Sequence, residues 1–576
     1  MSMAASDLAA RVAFLPDAVL PRPEAQPDAV ERTRALVAAL ASPSAYFHPA
    51  DDLAVIETHI SHVVLAGPFA YKIKKPVRLP FVDYTTLEAR RRFCEEEVRL
   101  NSRMAPELYL GVVPIALGAA GPIVGGAGKP IEYAVRMQRF EGSAIFDRLA
   151  AAGELGSNDI DALAGEIARL HDGARRGPPD LSCGSPETVL GAALDNFRAI
   201  RDAGGEAASN KALDALEAWT LGEQERLRDV IRDRQRRGFV RECHGDLHLG
   251  NVVRLGRRPV LFDCIEFKAS FRWIDVMSDI AFAVMDLHHC GLVGLAAQLL
   301  DRYIELTGDY GGLEVLRYYL VYRALVRAKV ARIRGRQAGL SSAGAAPEDA
   351  AFESYVALAG RLAEVRSCGV VLMRGVSGSG KSAAAAILLE RLGGLRLRSD
   401  VVRKAAHGLA PLARTRSGLG EGLYARSATE RTYEELGDRA RRVVEAGYPA
   451  IVDATFLARD QRRRFRELAR ALGVPFAIVE CVAPAQVVRE RIVARHAAGT
   501  DPSEGTLEVL EAQLARDEPP DLAERQACFT CDTSRPLSAE WIAALLARHL
   551  RPGEGRPCAT STSSTEMPTV SARFTS

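Results

Sequence analysis

Nowhere does the chain hold the roughly 20 consecutive apolar residues that a membrane-spanning helix needs. Met1–Leu20 carries Asp7, Arg11 and Asp17 in place of a basic start followed by an apolar run, so no secretory signal is expected. A charge excess is missing too. The 75 basic and 73 acidic residues leave a net charge of +2, which disfavours a nucleic-acid binder held by a strong positive field. Cysteine is sparse, ten residues in 576, and only Cys528 and Cys531 stand close together. No second Cys/His pair lies at ligand spacing beside them, so they read as two strand cysteines in a chain with free thiols, and a cytoplasmic location is expected. There is no internal repeat.

What remains is an ordinary globular composition, 48% hydrophobic and 26% charged, in a chain too long for a single core. Residues 1–44 read as a leader with one short helix, Ala29–Leu40. Alternation from Val55 to Ile73 predicts strands around a Gly67-Pro68 turn, and Thr86–Met104 reads as an amphipathic helix. Glu132–Met137 reads as a buried strand. Helical patterns follow at Asp159–Gly173, Ser185–Gln235, Val276–Arg302 and Leu313–Arg334. The small, polar Ala338–Pro347 marks a linker, placing one domain at 45–337 and a linker with a connecting helix at 338–366. From 367 to 550 strands and helices alternate, the pattern of a doubly wound parallel sheet. The Ser/Thr/Pro-rich residues 551–576 are expected to be a disordered tail.

Two stretches carry chemistry. Gly375-Val376-Ser377-Gly378-Ser379-Gly380-Lys381-Ser382 fits GxxxxGK[ST] after an apolar strand and at the start of a helix. Its backbone N–H groups would wrap phosphates, Lys381 would reach the β- and γ-phosphates, and Ser382 would offer a hydroxyl to Mg²⁺. Asp400 and Asp453 close later strands, where ligands of such sheets bind. Asp400 suits an acceptor proton, with Arg403 steadying the incoming group, and Asp453 suits a Mg²⁺-bound water; for both, a helix N-cap is the structural alternative. Arg491 and Arg495, one turn apart before a Gly/Asp/Pro loop, form either a lid over phosphate or a solvated basic face. Earlier in the chain, His244-Gly245-Asp246-Leu247-His248-Leu249-Gly250-Asn251 is followed by Leu261-Phe262-Asp263-Cys264-Ile265-Glu266. Asp246 would take an acceptor's proton, and Asn251 and Asp263 would hold the metal ions that bridge ATP phosphates.

The last third resembles the small-molecule kinase branch of P-loop proteins, with gluconate kinase, chloramphenicol phosphotransferase, zeta-toxin-like kinases and the kinase half of polynucleotide kinase. The phosphate loop, Ser399–Arg403 and the strand end at Asp453 carry the likeness. The first half resembles the aminoglycoside and choline kinase-like phosphotransferases, relatives of protein kinases. That resemblance implies a bilobal α+β kinase-like fold, with Asp246 catalytic and Asn251 and Asp263 on metal. It implies that Lys72 contacts phosphate, with Lys74 on the same face as the alternative, and that Glu97 pairs with the lysine, with Glu96 as competitor. It also assigns Asp279 to steadying the catalytic loop and Glu132–Met137 to the strand before the adenine hinge. Unlike protein kinases, the chain has no GxGxxG before Lys72. The whole resembles a class of bacterial two-domain proteins that fuse these modules.

The expected function is an ATP- and Mg²⁺-dependent kinase with two sites, each phosphorylating a small-molecule hydroxyl. The alternatives are a first half that serves as a nucleotide-binding scaffold, or a second half that acts on nucleic-acid ends. A drug-modifying role would call for an acidic pocket, for which Glu141, Asp147 and Glu154 are the candidates.

Overall fold

The computed structural model describes residues 27–549, apart from 59, 80–81, 179–181, 205–206, 339–344, 365–367, 411, 414–424, 499–500 and 537. The start of the expected leader, the expected tail and most of the Ala338–Pro347 segment lie outside the described residues. The chain divides into two compact units, Met1–Glu364 and Val365–Ser576.

In the first unit, strands β1 (Leu53–Glu57), β2 (Ser61–Ala66), β3 (Phe69–Lys74), β4 (Tyr109–Gly118), β5 (Gly121–Val124) and β6 (Pro130–Gln138) form a sheet of order β1-β2-β3-β6-β4-β5. Every pairing in it is antiparallel. Successive residues point to opposite faces, so Val64, Tyr71 and Ile73 enter one core and Val63 and Ala70 another. Helix α1 (Pro27–Leu40), expected as part of a leader, buries Val37 and Leu40 in the first of these cores. On the other face lies α2 (Leu87–Asn101), which starts where Thr86 Oγ1 accepts from Ala89 N at 3.1 Å. Its residues Cys94, Glu97 and Asn101, one helical stripe, are buried. Lys72 and Lys74 share the face of Ala70 and so meet this helix.

Helices follow. The pattern over 185–235 resolves into α3 (Pro186–Asp202) and α4 (Ala207–Arg236), and that over 276–302 into α5 (Val276–His289) and α6 (Val293–Thr307). Gly291, at φ +77°, sits in the second break. Buried residues line α5 on every side, from Val276 to Leu287. Helix α7 (Leu313–Ala338) packs against α8 (Ala345–Ala363), the helix expected to connect the halves. Arg332 lies over the Phe352 ring at 4.1 Å, and His289 stacks on Tyr355 at 3.8 Å, so α8 is part of the first unit. A tryptic cut that separates the units is therefore expected to leave α8 on the N-terminal fragment. Mass spectrometry of a limited digest reads this directly, and release of a C-terminal fragment that still carries 345–363 would contradict it.

The second unit holds five parallel strands: β7 (Val370–Arg374), β8 (Leu395–Arg398), β9 (Ala450–Asp453), β10 (Phe476–Val482) and β11 (Cys528–Asp532), in the order β8-β9-β7-β10-β11. This is the α/β P-loop sheet expected. Central β7 is buried at every residue, as a strand covered on both faces must be. Cys528 and Cys531 lie on the outermost strand of this sheet as free thiols. Among the described residues no helix is long and apolar enough to cross a membrane.

Candidate active sites

Between the sheet of the first unit and its helices, five charged side chains are buried together. Lys72 Nζ donates to Glu97 Oε1 at 2.8 Å and to Asp263 Oδ1 at 2.5 Å. Lys74 Nζ donates to the other Glu97 oxygen at 2.7 Å and to Glu266, which also accepts from Tyr84 Oη at 2.7 Å. Glu97 thus serves both candidate lysines, whereas Glu96 pairs with Arg99 and Arg272. Of the two lysines, Lys72 lines a cavity of about 550 Å³ with Asp263, and its other walls include Val63, Leu65, Ala70, Met137 and Phe140. An apolar slot with charge at one end suits a nucleotide base and its phosphates. Burial works against the Glu97 carboxylate, but the two lysines overcome it and hold its pKa down to about 2. Burial raises Asp263 to about 7, aided by the negative charges of Glu97 and Glu266 and opposed by Lys72.

The turn at His244–Asn251 is fixed from below. Asp279 accepts from His244 N at 2.9 Å and Gly245 N at 2.8 Å, and pairs with His171 Nε2 at 3.1 Å. Its carboxyl, despite burial, is held to about 2, chiefly by His171. Gly245 sits at φ +86°, and a Cβ there would lie 2.7 Å from the Phe271 carbonyl oxygen, which accounts for glycine before Asp246. Replacing Asp279 with Ala leaves two buried N–H groups unpaired at about 1–3 kcal/mol each. A loss of roughly 2–6 kcal/mol of stability is expected in urea unfolding of the first unit's transition, and an unchanged midpoint would refute it.

Asn251 Nδ2 donates to the Asp246 carbonyl at 2.9 Å and to Asp246 Oδ2 at 3.1 Å. Asp263, at φ +64°, donates its N–H to Tyr109 Oη at 3.0 Å. Among the described residues, three buried oxygens are left without a hydrogen-bond partner here: Asp246 Oδ1, Asn251 Oδ1 and Asp263 Oδ2. Hard oxygen donors of this kind fit Mg²⁺. His248 Nε2, also without such a partner, stands 3.4 Å from Asp246 Oδ2. Tyr84, Tyr109 and His171 were not legible as site residues, since each joins the network from a distant element. Glu266 takes the place of a partner for Lys74.

In the second unit the loop from β7 into helix α9 (Lys381–Leu392) holds Gly375, Gly378 and Gly380 at φ of +141°, +79° and +85°. Ser377 and Ser379 lie between them, and Lys381 Nζ donates to the Val376 carbonyl at 2.8 Å. Burial lowers the Lys381 pKa, with Asp453 and Asp400 opposing. Beside the loop is a cavity of about 300 Å³ lined by Lys381, Ser382, Asp400, Arg403, Asp453 and Arg495. Asp400 pairs with Arg403 at 2.9 Å in the first turn of a helix, Ser399–Ala405, whose N-cap position is Arg398. Asp453 ends β9 well before the next helix begins at Arg459, so it is no helix cap. The two arginines expected as either a lid or a solvated basic face separate: Arg495 lines the cavity and donates to the Gly505 carbonyl at 3.2 Å, whereas Arg491 is held by Thr533 through contacts of 3.0 and 2.7 Å. Gln513, which the sequence did not single out, accepts from Ser377 N at 2.7 Å and so takes up one amide of the phosphate loop.

Residues 88–319 match the phosphotransferase enzyme family, and residues 370–520 match an AAA domain. Uncharacterised proteins of Mycobacterium tuberculosis and Mycobacterium bovis are 30% identical over 474 residues, 81% of this chain and 91% of theirs. Among solved structures, a choline/ethanolamine kinase family protein from Mesorhizobium loti aligns at 11% identity and a TM-score of 0.32, covering 57% of this chain and 98% of that one. A gluconokinase from Sinorhizobium meliloti aligns at 25% identity and a TM-score of 0.22, covering 32% of this chain and 91% of that one. The chain belongs to the family of these mycobacterial proteins, with an aminoglycoside phosphotransferase-like unit followed by a P-loop kinase unit.

Proposed function

We propose that the protein is an ATP-dependent phosphotransferase with two sites, each passing the γ-phosphate of ATP to a hydroxyl of a small molecule. The observation that carries this reading is the trio of buried oxygens on Asp246, Asn251 and Asp263, without hydrogen-bond partners among the described residues, beside Lys72. Leaving them so costs stability unless a ligand takes them up. In the first unit Asn251 and Asp263 would hold Mg²⁺, which supplies positive charge against the ATP phosphates. Lys72, oriented by Glu97, contacts those phosphates. Asp246 Oδ1 accepts the acceptor's proton as its oxygen bonds the γ-phosphorus and ADP leaves.

In the second unit the amides of Gly375–Gly380 cradle the phosphates and Lys381 leaves the Val376 carbonyl to reach them. Ser382 would hold Mg²⁺ and Asp453 a water bound to it. Asp400 takes the acceptor's proton, and Arg403 and Arg495 stabilise charge on the phosphate in transfer. Arg491, tied to Thr533, would contact nucleotide only after leaving that partner.

The test is ATP consumption by the full chain against a library of hydroxylated metabolites, with Asp246→Asn and Lys381→Ala made singly and together. Each single variant is expected to lose one set of acceptors and the double variant both. If only Lys381→Ala removes activity, and Asp246→Asn changes nothing, the first unit is a scaffold and the two-site reading fails.

A further inference from the structure

The first unit has a second cavity, of about 360 Å³, between α3, α7 and the segment from 265 to 275. That volume is within the range of about 300–1,000 Å³ typical of small-molecule sites. Gly245 forms part of its wall and Asp246 does not, so it abuts the backbone of the catalytic turn and not the carboxylate. It is separate from the Lys72 cavity, with which it shares no lining residue.

Its chemistry points to a ligand. Val189, Phe271, Ile274, Tyr319 and Tyr322 make an apolar, partly aromatic wall. Lys268 and Arg323 bring positive charge to it. The two acids of the wall are already paired with arginines outside it, Asp195 with Arg198 at 2.8 Å and Asp275 with Arg234 at 2.7 Å, so the wall carries a positive excess. Asn196, also in the wall, is only 1% exposed, and its Nδ2 has no hydrogen-bond partner among the described residues. A buried N–H donor with no acceptor is costly, and an oxygen anion in the cavity would satisfy it.

We propose that this cavity binds a small organic anion, a carboxylate or phosphate on an aromatic or aliphatic body, as an effector of the first unit. Arg323 links it to the catalytic turn. Its guanidinium donates to the Gly245 carbonyl at 3.0 Å and the Ser278 carbonyl at 2.9 Å, so an anion that engages Arg323 is one side chain away from the peptide leading into Asp246. Binding then stiffens the turn.

The experiment uses the full chain saturated with Mg²⁺ and a non-hydrolysable ATP analogue. It is titrated calorimetrically with phenyl phosphate and, in a second arm, with benzoate, which separates a phosphate from a carboxylate head. Val189→Trp fills the cavity, and Lys268→Glu reverses charge at a half-exposed position. Each is expected to weaken binding at least about tenfold while affinity for the ATP analogue is kept. Amide exchange over 245–251 is expected to slow on binding in the parent protein and not in the variants. Binding of neither probe, or equal binding by the parent and both variants, overturns the proposal. Neither readout depends on phosphotransfer, so the result stands apart from the two-kinase reading.

Discussion

Asp246→Asn, made in the full chain already carrying Lys381→Ala, is expected to lower phosphotransfer or slow ATP hydrolysis by roughly 10²–10⁴-fold, with Mg²⁺-ATP affinity nearly unchanged. The asymmetry follows from the placing of the group. Asp246 is fully buried, and Asn251 holds one of its carboxylate oxygens while the other has no hydrogen-bond partner among the described residues. The amide keeps the shape and loses the proton acceptor. Asp263→Asn is expected to act differently, weakening Mg²⁺-ATP binding itself, because Asp263 lines the cavity proposed for nucleotide and bonds Lys72. Isothermal titration and single-turnover assays separate the two effects. A parent protein with no Mg²⁺-dependent nucleotide binding at this site would end the kinase reading of the first unit.

Lys381→Ala, made in the Asp246→Asn background, is expected to reduce turnover at the second site by about 10²–10³-fold, the scale for losing one preorganised positive donor. The fold should survive, since the ammonium donates to the Val376 carbonyl at the neck of its own loop and not to a distant element among the described residues. Circular dichroism tests the fold and ADP release tests turnover. Parental activity in this variant would remove Lys381 from the mechanism. Gln513→Ala makes a useful companion, because it frees Ser377 N and should tighten nucleotide binding at the same loop.

The two sites were legible to different depths for a physical reason. A phosphate loop is a local device in which consecutive backbone amides and a helix start do the work, so residues 375–382 spell it out. The inner strands Val370–Arg374, Ala450–Asp453 and Phe476–Val482 were legible for the same reason, being short, largely apolar runs of a buried parallel sheet. The motif at 244–251 was also local. Its supports were not. Asp279 could be named through resemblance, but Tyr84, Tyr109 and His171 arrive from elements far apart in sequence, and no spacing rule joins them. The choice between Lys72 and Lys74 stayed open because alternation puts both on one face, and the fold uses both on a single glutamate. Arg491 and Arg495 shared a helical stripe in sequence yet part company, because Thr533, on a segment distant in the chain, captures the first. Helix α8 looked like a connection since composition marks the loop before it, while its burial depends on α7 and His289.

The Lys72–Asp263 ion pair has a thermodynamic consequence. Under the proposed roles each partner occupies the place that the other's ligand would take: the ammonium neutralises the carboxylate meant for a divalent cation, and the carboxylate holds the ammonium meant for phosphate. Whichever ligand enters first must break the pair, and it leaves the freed partner exposed to the second ligand. Linkage then requires reciprocity, with cation and nucleotide each raising the other's affinity by the same factor. In Asp263→Asn, nucleotide affinity should therefore lose much of its dependence on divalent concentration, and the pair would act as a thermodynamic gate against nucleotide that arrives without its cation.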